Sequence, residues 1–86
     1  MPAPEATPTI TVRLFARLRE QAGWGERTVP LGEGVVSAAE IWERLGLGPI
    51  PLPAPLRIAI NQQFAVADAQ LRAGDELAFL PPISGG

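Results

Sequence analysis

The chain predicts an α+β roll, a single mixed sheet with one main helix packed on one of its faces. Three observations lead there. Apolar residues alternate with a period of two in three separate stretches, Ile10 to Phe15, Leu56 to Ile60 and Glu76 to Leu80, as they do in strands that bury one face. One segment, Val36-Ser37-Ala38-Ala39-Glu40-Ile41, carries a full helix-start signature and opens the best amphipathic helix in the chain. At 86 residues there is material for one core, and so few helices beside so small a sheet are most economically arranged as a helix laid on a sheet.

Residues 1–8 are rich in Pro, Ala and Thr with nothing to bury, and are read as a disordered lead-in. The ordered domain is expected over 9–80. In the first strand Ile10, Val12 and Leu14 share the core face and Thr11, Arg13 and Phe15 the other. Phe15 is thus an aromatic on the outer side, which covers the sheet edge or following turn, or belongs to a partner surface. Ala16 to Ala22 holds helix formers, with Leu18 and Ala22 on one face and Gly23 placed to end the helix in the left-handed conformation. Glu26 to Leu31 follows as a strand through Val29 and Leu31, with Trp24 as nearby cover. Pro30 restricts it to a sheet edge or a strand end, because proline donates no ladder bond.

In the main helix Ser37 can cap exposed amides while Glu40 returns a bond to the cap residue, and Val36 can pack on Ile41. The expected span is Ala38 to Leu45, with Ala38, Ile41, Trp42 and Leu45 as the apolar stripe and Gly46 as the stop. Trp42 is assigned to the core because it sits mid-stripe. Prolines 49, 51, 53 and 55 then favour an extended crossover. Leu56, Ile58 and Ile60 turn inward in the next strand, and Asn61-Gln62-Gln63 turns the chain toward the short segment Phe64 to Val66. Leu71 is expected to plug the core ahead of a turn at Ala73-Gly74-Asp75. In the last strand Leu77 and Phe79 lie on the core face and Ala78 and Leu80 on the other; this strand is expected at the centre of the sheet.

Composition excludes several kinds of chemistry. With no cysteine or histidine there is no thiol nucleophile, no imidazole base and no thiolate metal site. A net charge of -2 without a basic block argues against nucleic acid or anionic lipid as a partner. Met1-Pro2-Ala3-Pro4-Glu5 lacks the basic start of a signal peptide and the apolar runs are short, so a cytoplasmic location without a membrane span is expected. All seven basic residues are arginine. That reflects compositional bias, or it keeps reactive amines away from an activated acyl group.

The acyl group in question is at the chain end. Pro81-Pro82 stops the last strand and stiffens the exit, and Ile83, Ser84, Gly85 and Gly86 follow. Two glycines place no Cβ in the way of a narrow channel, so residues 81–86 read as an extended tail that presents a carboxylate to another protein. A carboxylate is a poor acyl donor until activated, and attack on the α-phosphate of ATP to form an acyl adenylate is the simplest activation. No phosphate-binding GxxxxGK[ST] loop is present, so the nucleotide belongs to a separate enzyme.

Val12-Arg13-Leu14-Phe15-Ala16-Arg17-Leu18-Arg19-Glu20, Ser37-Ala38-Ala39-Glu40, Ile58-Ala59-Ile60-Asn61-Gln62 and the stretch from Ala73 through Phe79-Leu80-Pro81-Pro82-Ile83-Ser84-Gly85-Gly86 resemble the small subunit of molybdopterin synthase, a ubiquitin-like sulfur carrier of molybdenum cofactor biosynthesis. The chain departs from that pattern in the 46–55 segment and the extra N-terminal residues. The resemblance implies a β-grasp (ubiquitin-like) fold and a carrier that binds no cofactor of its own. It implies that a ubiquitin-activating-like adenylyltransferase uses ATP to adenylate Gly86, and that sulfur from a persulfide donor converts it to a thiocarboxylate. The tail then inserts into the large subunit of the synthase, in a heterotetramer, and sulfurates the pyranopterin precursor. Catalytic residues are expected in the large subunit. Gly86 carries the acyl group; Gly85, Ser84 and Ile83 form the tail passage; Phe15, Leu80, Pro81 and Pro82 are the candidate docking residues. Arg13, Arg17 and Arg19 guide an acidic partner or simply face solvent, and Asp75 and Glu76 meet a basic groove or serve the turn. Other readings of the same tail are a carrier for thiamine, cysteine or tRNA thiolation, a ubiquitin-like protein modifier, and an interaction module with an inert tail.

Overall fold

The structure, a computed structural model, describes residues 8–32, 36–50, 52–53 and 55–82. In chain order these form β1 (Thr9–Leu14), α1 (Ala16–Ala22), β2 (Glu26–Pro30), β3 (Val36–Ser37), α2 (Ala38–Arg44), β4 (Arg57–Ile60), β5 (Gln63–Ala65), β6 (Gln70–Leu71) and β7 (Glu76–Leu80). A five-stranded sheet has the order β2-β1-β7-β4-β5. β1 runs parallel to β7, and the β1–β2, β4–β5 and β4–β7 pairings are antiparallel, so the sheet is mixed. β7 is its central strand and β2 an edge, both as the sequence predicts.

The alternation read in β1, β4 and β7 becomes the two faces of the sheet. Ile10, Val12, Leu14, Ile58, Leu77 and Phe79 are buried together against Ala38, Ile41 and Trp42 of α2. Trp42 meets Phe79 edge-on, with ring centroids 5.2 Å apart, an arrangement aromatic pairs favour. The capping box of α2 forms as read: the Glu40 amide donates to Ser37 Oγ at 3.2 Å and the Ser37 amide to Glu40 Oε1 at 3.4 Å. α1 ends on Gly23 at φ 84, whose amide donates to the Arg19 carbonyl.

Several boundaries differ from the expectation. β1 stops at Leu14, and Phe15 is the extended N-cap residue of α1 rather than the end of a strand. α2 closes at Arg44, with Leu45 as its cap and half-buried. Leu56 precedes β4 and is half-buried, so the inward alternation is carried by Ile58 and Ile60. A second sheet, β3 with β6, pairs Val36 with Leu71 and Ser37 with Gln70; each strand is two residues long, too short to show a period. It seats Leu71 in the core and brings the start of α2 onto the 67–69 turn, where the Ala38 and Ala39 amides donate to the Ala69 and Ala67 carbonyls. Pro8 is the first described residue and its carbonyl accepts from the Leu31 amide at 2.8 Å; the rest of the lead-in expected at 1–8 lies outside the described residues. Among the described residues no helix is long and apolar enough to cross a membrane.

Candidate docking face at the root of the tail

Ile83, Ser84, Gly85 and Gly86 lie outside the described residues; Pro81 and Pro82, which precede them, lie within. The parallel register of β1 on β7 sets Leu14 beside Phe79, which brings the ends of both strands to the same end of the sheet. Phe15 and Leu80, 65 positions apart in the sequence, thereby line one shallow cleft of about 310 Å³ on the outer face. Its floor is Ala59 and Ala78, register partners on β4 and β7, and small residues there keep the surface low.

Phe64 completes the cleft. It pairs with Ala59 across β4–β5 and stands 71% exposed, the most open large apolar side chain among the described residues; Val66 is 67% exposed and Phe15 38%. Sequence reasoning placed Phe64 in a short strand but gave it no functional role, because β5 has three residues and the orientation of so short a strand is set by its pairing with β4. A usable signal was present all the same: an aromatic directly after a polar turn, where nothing in the pattern asked for burial. Apolar side chains exposed together in this way make the outer face a candidate interaction surface.

Two guanidinium groups frame this patch. Arg13 Cζ lies 5.5 Å from the Phe15 ring centre and Arg57 Cζ 5.4 Å from that of Phe64, both within cation–π range. Arg13 also faces Glu26 at 3.5 Å and Glu76 at 3.8 Å. The remaining docking candidates, Pro81 and Pro82, lie around the corner. They line a groove of about 280 Å³ on the helix side, together with Arg17, Leu18, Trp42 and Pro49. The four sequence-derived docking residues thus divide into an outer-face pair, Phe15 and Leu80, and a tail-root pair on the other side.

Other candidates have local work. Asp75 Oδ1 accepts from Asn61 Nδ2 at 2.9 Å and its Oδ2 from the Arg72 amide at 2.7 Å, so the carboxylate ties the β6–β7 turn to the β4–β5 turn. The Arg19 side chain lies across Gly25, where a Cβ would fall 2.9 Å from its Nε. Arg17 contributes to the tail-root groove. Among the described residues no charged or polar side chain is buried and no three carboxylates cluster to hold a metal. What the described residues present instead is an exposed apolar patch framed by two arginines, beside the central strand β7 that leads into residues 81–86.

The geometry has counterparts in known proteins. The chain is 34% identical over 82 residues to the molybdopterin synthase sulfur carrier subunit of Chlamydomonas reinhardtii, covering 90% of this chain and 98% of that protein. Its fold is similar to that of small archaeal modifier protein 1 of Haloferax volcanii, with a TM-score of 0.76, 28% identity, and coverage of 91% of this chain and 99% of that one. It is also similar, at 21% identity and a TM-score of 0.60, to a chain in the complex of subunits 1 and 2 of molybdopterin-converting factor from Helicobacter pylori, covering 91% of this chain and 99% of that one; this likeness speaks to the fold alone. These are ubiquitin-like β-grasp proteins, as the sheet order and the single packed main helix require. The match to the ThiS family runs over residues 12–86, from the first strand through the terminal glycines, and on that extent the chain belongs to the ThiS family.

Proposed function

We propose that this chain is the sulfur carrier of molybdenum cofactor biosynthesis, the small subunit of molybdopterin synthase. The observation that carries the reading is its near full-length likeness to a molybdopterin synthase sulfur carrier subunit. The structure supplies a mechanical reason for the role. The central strand β7, paired on both sides with β1 and β4, runs into Pro81-Pro82, so the chain approaches its terminal residues from a strand with ladder bonds on both edges.

In this reading the Gly86 carboxylate oxygen attacks the α-phosphorus of ATP on a separate ubiquitin-activating-like enzyme, and pyrophosphate leaves. The terminal sulfur of a persulfide attacks the acyl carbon and AMP leaves; a thiol then reduces the acyl disulfide to the thiocarboxylate. The tail next enters the large synthase subunit, where the thiocarboxylate sulfur attacks the pyranopterin precursor. The carrier contributes no acid or base to these steps, in keeping with a chain that lacks histidine, cysteine and lysine. It contributes the acyl group on Gly86, passage through Gly85, Ser84 and Ile83, and a docking face of Phe15, Phe64 and Leu80 with Pro81 and Pro82 at the tail root. The setting is the cytoplasm, and the assembled synthase is a heterotetramer with the large subunit.

Intact mass spectrometry of the chain incubated with an activating enzyme, ATP and a persulfide source tests this. The expected product gains the mass difference between sulfur and oxygen, and its addition to the large subunit converts precursor to dithiolene. A second reading is favoured by the likeness to small archaeal modifier protein 1: acyl transfer from Gly86 to lysines of other proteins. Covalent ladders on target proteins without the sulfur-for-oxygen mass change would select that reading.

A further inference from the structure

We propose that Arg57 is a specificity residue of the docking face, and that the activating enzyme meets it with an aspartate or glutamate set beside an apolar contact for Phe64. The inference rests on the carrier reading above, in that it takes the outer face as the surface the activating enzyme covers.

Position singles Arg57 out. It is the register partner of Leu80 across β4–β7, so it flanks the last residue of the strand that becomes the tail. Its guanidinium lies over the Phe64 ring at 5.4 Å, a contact that biases a rotamer-rich side chain toward the patch and trims the entropy lost on binding. The contrast with Arg13 is informative. Both arginines cover an aromatic of the patch, yet Arg13 has Glu26 and Glu76 within salt-bridge distance, whereas Arg57 has no carboxylate within 4.0 Å and donates no side-chain hydrogen bond among the described residues. One cation of the frame is neutralised within the fold and the other is left for something outside it.

The energetics make this a filter. A protein that closes over Phe64 takes water from the guanidinium packed on it. Arginine cannot shed its proton to escape, so an unpaired guanidinium in such a contact is strongly penalised. A purely apolar partner face is thereby rejected, and one that places a carboxylate against the in-plane N–H groups gains a charge-assisted, bidentate pair. The carrier itself has a net charge of -2, so the local positive charge at the tail root is opposite in sign to the chain as a whole and orients an acidic partner toward that end.

The test is ATP–pyrophosphate exchange by the activating enzyme with the full chain as substrate. Arg57→Glu is expected to raise KM by about tenfold or more with kcat within about twofold, and Arg57→Lys to fall between, since a lysine keeps the charge and loses the fork. Raising salt should raise KM for the wild type and leave Arg57→Glu nearly flat. Thermal unfolding of each variant should match the wild type, and Arg72→Glu, in the β6–β7 turn at the other end of β7, should exchange normally. Rescue of Arg57→Glu by reversing one acidic residue of the enzyme would identify the partner carboxylate. A KM for Arg57→Glu within about twofold of wild type overturns the inference while leaving the carrier reading standing, and so does a defect seen only in binding to the large subunit. Absence of exchange with the wild-type chain overturns the carrier reading and this inference together.

Discussion

The indole Nε1 of Trp42 donates to the carbonyl of Pro49 at 2.8 Å, tying the centre of the main helix to the proline-rich crossover seven residues on. Between them the chain passes directly under the ring: a Cβ on Gly48 would fall 2.6 Å from Trp42 Cζ2. Trp42 is thus a core residue on one side, where it meets Phe79, and an anchor on the other. The proline-rich segment, expected to be extended, instead bends over 48–50, and this contact holds that bend beside the groove that Pro81 and Pro82 line.

Gly48→Ala measures that anchor. Replacing glycine usually stabilises a loop by about 0.4–1 kcal/mol through the unfolded chain. Here overpacking against a buried indole that has nowhere to move should dominate at about 1–3 kcal/mol, so the net effect is a loss. Urea unfolding should show a lower midpoint at unchanged slope; a variant as stable as wild type would show that the crossover does not lie on the ring.

Asn61 links two turns. It sits at φ 52, its Nδ2 donates to Asp75 and its Oδ1 accepts from the Glu76 amide at 2.9 Å. Asn61→Gly keeps the left-handed backbone and loses the side-chain bonds, whereas Asn61→Ala loses the bonds and adds about 1 kcal/mol of backbone strain. Both should destabilise, alanine more than glycine, as read by chemical denaturation. The reverse order would place the side-chain bonds in a minor role.

Ser37→Ala removes the cap of α2 and should cost about 1 kcal/mol, while Ser37→Asp should restore most of it because aspartate accepts the same Glu40 amide. Thermal unfolding of the pair separates capping from any effect of losing the hydroxyl in the β3–β6 pairing.

Phe64→Ala should leave the melting temperature nearly unchanged, since the ring is 71% exposed, yet weaken binding to the activating enzyme or to the large subunit by about tenfold or more, the loss typical of a central aromatic anchor. Phe79→Ala is the contrasting case: fully buried, it should cost about 3–5 kcal/mol of stability. Binding assays on folded Phe64→Ala that match wild type would remove this ring from the docking face.

One residue added after Gly86 should abolish adenylation while leaving folding intact, because the carboxylate would then sit on a different residue and a side chain would enter the channel. Gly85→Val should impair it for the second reason alone. Pyrophosphate exchange with the extended chain at the wild-type rate would sink the tail mechanism.

Local chemistry was enough to read the elements that carry their own signal. Three alternating strands, a capping box and a glycine stop each depend on neighbours within a few residues, so β1, β4, β7 and both helices were legible from the chain, as was the terminal Gly85-Gly86 with its proline stiffener. What the sequence left open were contacts between residues far apart in it. The two-residue strands β3 and β6 have no period and exist because Val36 and Leu71 meet over the core. Phe64 and Arg57 joined Phe15 and Leu80 only when β4–β5 and β4–β7 pairing turned them to one face. Alternation says that two faces differ but not which strand lies beside which; strand order and register decide that, and with them which exposed side chains stand together at the root of the tail.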